Sequence, residues 1–250
     1  MKYVSVWSNE NENEIKKSKE YNKWINFTDN NNNIIHIRTN EEDYCGARAI
    51  IGGSNNHLLF ITYAKDNIRV FDLNTFQFIK HGILPTNNTI RYHCFILRQK
   101  NGCEIIRKKE ENKKINEMIL FHFSAGLLIE YDEDKNTFQF HNIPVCDYVA
   151  KFYRYAYIYI NDVILFFGGY RFENKEIMSK SFCKYFIQDN TWTIFKNVLP
   201  IQLRDSFGIL NENNTEIHLI GGASNNWNVQ QTHIHAKVCE LKNSENLVIF

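Results

Sequence analysis

Four arginines recur along the chain at related places. Arg48, Arg91, Arg154 and Arg204 are separated by 43, 63 and 50 residues, and each stands at or just before a short run of β-forming residues. A guanidinium offers paired N–H donors in one plane, which matches a carboxylate or phosphate group. Placed at equivalent points of a repeated architecture, with Tyr92 and Tyr155 beside two of them, these groups open on one mouth and bind a protein or peptide ligand, an acidic segment in particular. Paired instead with nearby acids such as Glu42, Asp43, Asp147 or Asp205, they serve only structure.

Other reactive side chains point to less. His233 and His235 are two apart, so a strand carries both on one face, where they could seat a metal if a third ligand joined them; no fixed spacing supplies one. Asp132 and Glu133 fall in a turn, where carboxylates supply local hydrogen bonds. The chain has no phosphate-binding glycine loop, no GxSxG elbow and no HExxH. The expectation is a non-catalytic protein without cofactor or metal.

The elements that must position these residues are strands. In residues 153–200, Tyr155, Tyr157 and Tyr159 alternate with Ala156, Ile158 and Ile160, and the run ends at the turn-prone pair Asn161 and Asp162. Val163 to Phe167 is apolar on both sides of its pleat and closes at Gly168 and Gly169, where the backbone can turn with positive φ. After a polar loop, Tyr170 to Lys180, come strands from Phe182 to Ile187 and from Thr191 to Phe195. Tyr185 and Trp192, seven apart across the turn between them, can pack as cross-strand neighbours. One such sheet cannot bury both faces by itself.

Its neighbours are in the sequence. The seven-residue aromatic step recurs at Phe71 and Phe78 and at Tyr131 and Phe138. Leu84-Pro85, Ile143-Pro144 and Leu199-Pro200 follow these steps at intervals of 59 and 56, and the glycine pair returns 53 residues later at Gly221 and Gly222. Self-similarity near this period with four strands per unit is the mark of propeller blades. The reading is an all-β propeller of four-stranded antiparallel blades over residues 44–85, 90–144, 153–200 and 204–250. Residues 1–43 supply a partial blade, from strands near Tyr3 to Trp7 and Trp24 to Phe27, with a polar insert from Asn9 to Glu20. These strands complete a fifth blade, or the ring stays open, or the chain is a fragment; the fifth blade is preferred.

FFGG (Phe166 to Gly169), YFIQDNTW (Tyr185 to Trp192) and IGG (Ile220 to Gly222) resemble the kelch repeat family. The likeness is uneven. Ser124 and Ala125 replace the glycine pair in the second unit, and Gly52-Gly53 precedes strand HLLFITY, marking the turn between strands one and two. The resemblance implies a propeller whose first strands line a central channel and whose partner peptides dock on its rim, in an adaptor or scaffold role. Tyr92 and His93 also resemble the copper-binding Tyr-His pair of galactose-oxidase-like propellers in the same superfamily. That resemblance implies a Tyr–Cys cross-link and further ligands, for which no counterpart can be placed. A degenerate enzyme of that or a sugar-modifying type is the alternative function.

Composition bounds the remainder. A chain of 250 residues can bury a full core as one domain. A net charge of +1 lacks the basic excess typical of nucleic-acid or membrane-surface binding. No apolar run approaches a bilayer span, and the first 20 residues lack a signal-peptide core. The six cysteines form no CxxC, which suits reduced thiols in an intracellular, cytoplasmic protein, and the sequons at Asn26, Asn87 and Asn213 are then chance matches. The mixed-charge stretch RKKEENKK, in an insertion from Lys100 to Asn116, reads as a solvated loop.

Overall fold

The computed structural model describes residues 2–4, 23–37, 41–87, 89–98, 114–172, 176–196, 199–223, 229 and 231–239. All named elements are strands, and four antiparallel sheets make the four blades of a β-propeller. Ahead of them, β1 (Lys2–Val4) pairs antiparallel with β2 (Lys23–Ile25). Among the described residues this N-terminal pair is a two-stranded sheet. The polar insert between them lies outside the described residues.

Blade 1 is β3 (Arg48–Gly52), β4 (Leu58–Tyr63), β5 (Asn67–Asp72) and β6 (Gln77–Ile83), hydrogen-bonded in chain order. Tyr63 pairs with Asn67, so three residues connect β4 to β5, and two of them, Lys65 and Asp66, have positive φ. Gly52 ends β3 and Gly53, at φ +86, begins the turn to β4, as expected for that pair.

Blade 2 is β7 (Cys94–Leu97), β8 (Ile115–His122), β9 (Ala125–Asp132) and β10 (Thr137–Asn142). The insertion expected between β7 and β8 lies mostly outside the described residues, and Asn116 belongs to β8 instead. Ser124 sits in the tight β8–β9 connection and Ala125 opens β9.

Blade 3 is β11 (Ala156–Ile160), β12 (Val163–Phe167), β15 (Phe182–Phe186) and β16 (Thr191–Phe195). The loop expected to be irregular from Tyr170 to Lys180 holds a small hairpin, β13 (Tyr170–Phe172) paired with β14 (Glu176–Met178). Blade 4 is β17 (Phe207–Leu210), β18 (Glu216–Ile220) and β19 (His233–Lys237). The final strand expected from Leu247 to Phe250 lies outside the described residues.

The seven-residue aromatic steps are cross-strand pairs. Phe71 and Phe78, Tyr131 and Phe138, and Tyr185 and Trp192 face each other with ring centroids 5.2, 5.0 and 4.7 Å apart. The tip of each hairpin needs a left-handed residue, and Phe76, Asn136 and Asn190 supply it at φ +58, +53 and +54. Asn tolerates this backbone, and its side chain also accepts from the tyrosine hydroxyl at 3.0 Å from Tyr131 and 2.6 Å from Tyr185.

Three apolar clusters join the blades. One packs Phe60, Ile68 and Val70 of blade 1 against Phe95, Met118 and Leu120 of blade 2. The second packs Ile119 and Phe121 of blade 2 against Ile164, Phe166 and Tyr185 of blade 3. The third packs Ile158, Leu165 and Phe167 of blade 3 against Ile217, Leu219 and Ile234 of blade 4. Strand alternation makes this possible, because β11 sends Ile158 to one neighbour and Tyr157, with Tyr155 just before the strand, to the other. Each buried aromatic or aliphatic side chain contributes roughly 1.5–3 kcal/mol by leaving water. No helix among the described residues is long and apolar enough to cross a membrane.

Candidate functional site

The first strands of the blades surround a cavity of about 480 Å³. Blade 1 lends Arg48 and Ala49, and Tyr92 comes from the approach to blade 2. Arg154 to Tyr157 come from blade 3, and Asp205 to Gly208 from blade 4. The backbone that builds this mouth is a repeat the arginine spacing does not display. Gly46, Tyr92, Arg154 and Asp205 each stand two residues before a first strand, and all four are left-handed, with φ of +71, +52, +58 and +55. Three of the four are not glycine, and such conformations persist only where surrounding contacts hold them.

Those contacts run between blades. The Tyr92 N–H donates to the Gly46 carbonyl at 2.8 Å, and the Asp205 N–H donates to the Arg154 carbonyl at 2.9 Å. A Cβ at Gly46 would lie 2.7 Å from the Tyr92 nitrogen and 2.8 Å from its ring, so only glycine admits Tyr92 there.

Arg154 is held from two sides. Its Nη1 donates to Asp205 Oδ1 and Oδ2 at 3.1 and 3.0 Å, and its guanidinium carbon lies 3.9 Å from the Tyr92 ring centroid. Burial weakens its charge, but Asp205 more than offsets this, and the Arg154 pKa rises above its ordinary value. Arg48 is bound differently. Its Nε donates to the His93 carbonyl at 3.1 Å and its Nη1 to the Ala47 carbonyl at 3.3 Å. Beside it on the cavity wall the Tyr157 hydroxyl donates to the Phe95 carbonyl at 3.4 Å, and burial pushes that hydroxyl up to about 12.

The other two arginines lie apart from the cavity. Arg91 is exposed and forms an ion pair with Asp43. Arg204 is completely buried, its guanidinium 4.8 Å from the Tyr170 ring centroid. The reason is position within each repeat: Arg91 and Arg204 stand three residues before their strands, Arg154 two before, and Arg48 at the strand's first residue. Arg91 and Arg204 come just before the left-handed residue of their repeats, Tyr92 and Asp205, whereas Arg154 is that residue and Arg48 follows it. Tyr155 reaches the cavity wall, yet its hydroxyl donates to the Phe121 carbonyl at 2.8 Å and so fastens blade 3 to blade 2.

Gly46, Tyr157, Asp205 and Phe207 are site residues that the arginine spacing misses. Aligning Gly46-Ala47-Arg48, Tyr92-His93-Cys94, Arg154-Tyr155-Ala156 and Asp205-Ser206-Phe207 on their strand starts would have found all but Tyr157.

His93 is a packed ring. It is completely buried, one ring nitrogen lies 2.6 Å from Thr62 Oγ1, and burial holds its pKa well below the ordinary range. Cys45 Sγ stands 3.2 Å from the Tyr92 hydroxyl, a neighbour the sequence does not announce. That contact, followed by burial, raises the Tyr92 pKa. On blade 4, His218 joins His233 and His235 on one exposed face. Their rings stack and a ring nitrogen of His218 lies 2.9 Å from one of His233. Among the described residues no three His, Cys, Asp or Glu side chains converge to hold a metal.

Comparison with known proteins adds little to this geometry. No family model matches the chain, and no curated protein matches it. A solved structure titled "Structure of YjhT" is similar over 84% of this chain and 82% of that one, at 10% sequence identity and a TM-score of 0.40.

Proposed function

We propose that this chain is a non-catalytic, kelch-type propeller of the cell interior that captures an acidic segment of a partner protein at the mouth of its hub. The observation that carries this reading is the cavity of about 480 Å³ whose wall holds two guanidiniums, Arg48 and Arg154, against one carboxylate, Asp205. A ligand carboxylate offsets that excess positive charge. The partly enclosed wall strengthens the contact relative to open water. Arg154 is already oriented by Asp205, so it contributes a fixed field. Arg48, whose guanidinium donates to the carbonyls of His93 and Ala47, is the group that meets the ligand. Tyr92, Tyr157 and Phe207 offer flat surfaces to the chain on either side of the acid. The left-handed glycine pair after β12 and the Tyr185–Trp192 pair support the kelch-type reading.

Fluorescence anisotropy with labelled Glu-rich and Lys-rich peptides tests the proposal. The wild type binds the Glu-rich peptide selectively. Arg48→Gln weakens that binding roughly ten- to a hundredfold, as loss of one charge-assisted contact of about 1.5–3 kcal/mol implies. Equal affinity for both peptides, or an Arg48→Gln protein that binds as the wild type does, contradicts it.

A further inference from the structure

Cys146 and Cys183 come from separate parts of the chain and meet at the seam between blades 2 and 3. Cys146 begins a turn in the linker that follows β10, and the Ala150 N–H donates to its carbonyl at 3.0 Å. Cys183 is the second residue of β15 and is completely buried, paired in the sheet with Phe166 and Ile194.

The linker is pinned over this strand. The Tyr148 hydroxyl donates to the carbonyls of Gly168 and Ser181, and Trp192 Nε1 donates to the Pro144 carbonyl at 2.9 Å. Cys146, partly accessible, packs on the same apolar cluster that contains Cys183, and each thiol is near enough to perturb the ionisation of the other.

We propose that Cys146 and Cys183 form a reversible oxidation site, in which a peroxide oxidises Cys146 and Cys183 then closes a disulfide with it. The environment divides the roles. The neighbouring Cys183 thiol, aided by backbone N–H groups of Val149 and Tyr148, pulls the Cys146 thiol down to about 7 against the effect of burial. Burial, followed by the neighbouring Cys146, pushes Cys183 well up, so it keeps its proton while Cys146 ionises.

In the first step the Cys146 thiolate attacks one peroxide oxygen. An S–O bond forms, the O–O bond breaks, and hydroxide leaves; sulfur loses two electrons and the peroxide gains them. In the second step the Cys183 sulfur attacks the Cys146 sulfur. An S–S bond forms, the S–O bond breaks, and the Cys183 proton leaves with the hydroxyl as water. A dithiol reverses the product by exchange. The disulfide fastens the linker to β15 and locks the seam between blades 2 and 3.

The test uses the whole reduced chain, limiting hydrogen peroxide near neutral pH, and non-reducing peptide mass mapping. The expected product is a Cys146–Cys183 cross-linked peptide that has lost two hydrogens and is restored by dithiothreitol. Cys183→Ala stops the reaction at a sulfenic acid on Cys146 that dimedone traps, and Cys146→Ala leaves Cys183 unoxidised. The alkylation rate of Cys146 falls to half its maximum near pH 7 in the wild type, and that midpoint rises in Cys183→Ala. The exposed thiols Cys45 and Cys239 serve as internal comparisons. Oxidation of either ahead of Cys146, accumulation of sulfinic acid on Cys146 without the cross-link, or no reaction at all overturns the proposal.

Discussion

Gly168 and Gly221 close the second strands of blades 3 and 4 with nearly the same backbone, at φ +67 and +68, yet their surroundings differ. A Cβ at Gly168 would stand 2.4 Å from the Leu203 carbonyl oxygen, whereas one at Gly221 meets nothing within 4 Å. Gly168→Ala therefore carries both left-handed strain and a backbone collision, and we expect it to destabilise the fold by about 2–4 kcal/mol. Gly221→Ala carries only the strain, about 1 kcal/mol. Chemical denaturation of the two variants checks this, and equal losses would contradict the assignment. The glycine pairs are legible in sequence because a doubled glycine after an apolar strand has few other uses. What surrounds each one is not, since Leu203 is far from Gly168 along the chain. The arginines teach the same lesson. Their spacing is visible, but the single residue of offset that buries Arg204 and leaves Arg154 at the mouth depends on where each strand begins.

Between elements, the hairpins with aromatic steps are legible because a step of seven leaves two cross-strand pairs around a four-residue turn, which brings the rings together. The β13–β14 hairpin escapes such reading, as it has no alternation long enough to register. A second feature hidden at this scale is the contact of His93, just before β7, with His122 at the end of β8. Both are buried, with ring centroids 6.3 Å apart. Burial lowers the His122 pKa to about 4 and holds His93 well below its ordinary value, with the neighbouring His122 adding to the effect. Both rings are thus neutral in the folded chain, while an unfolded histidine titrates near 6.5. The unfolded chain takes up protons first as pH falls below that value, so stability is complete above it and declines toward the folded pKa. His122 alone removes about 2 kcal/mol between about pH 7 and about pH 5. Urea denaturation at the two pH values checks the slope, and His122→Asn should flatten it. A stability that rises or stays level on acidification would contradict the neutral pair.

For the whole molecule, the three inter-blade clusters follow from the sequence pattern, since strands apolar on both sides require a neighbour on each face. The outermost faces are a different matter. Phe207 on β17 is 71% exposed and Ile51 on β3 is 55% exposed, and among the described residues no apolar cluster joins blade 4 to blade 1. The four blades are legible from the repeats, but how the ring is completed is not, because repeats announce a blade and not its closure. What the architecture does supply is a hub where four separate approaches to first strands converge. A site built from residues 48, 92, 154 and 205 exists only because those approaches meet there. The most direct measurement is an NMR titration of the arginine side-chain Nε–Hε resonances with a Glu-rich peptide. Arg48 and Arg154 are expected to shift together and saturably while Arg91, in its exposed pair with Asp43, stays in place. If the exposed Arg91 shifts first, or Arg48 stays fixed at saturation, the hub is not where the acid binds.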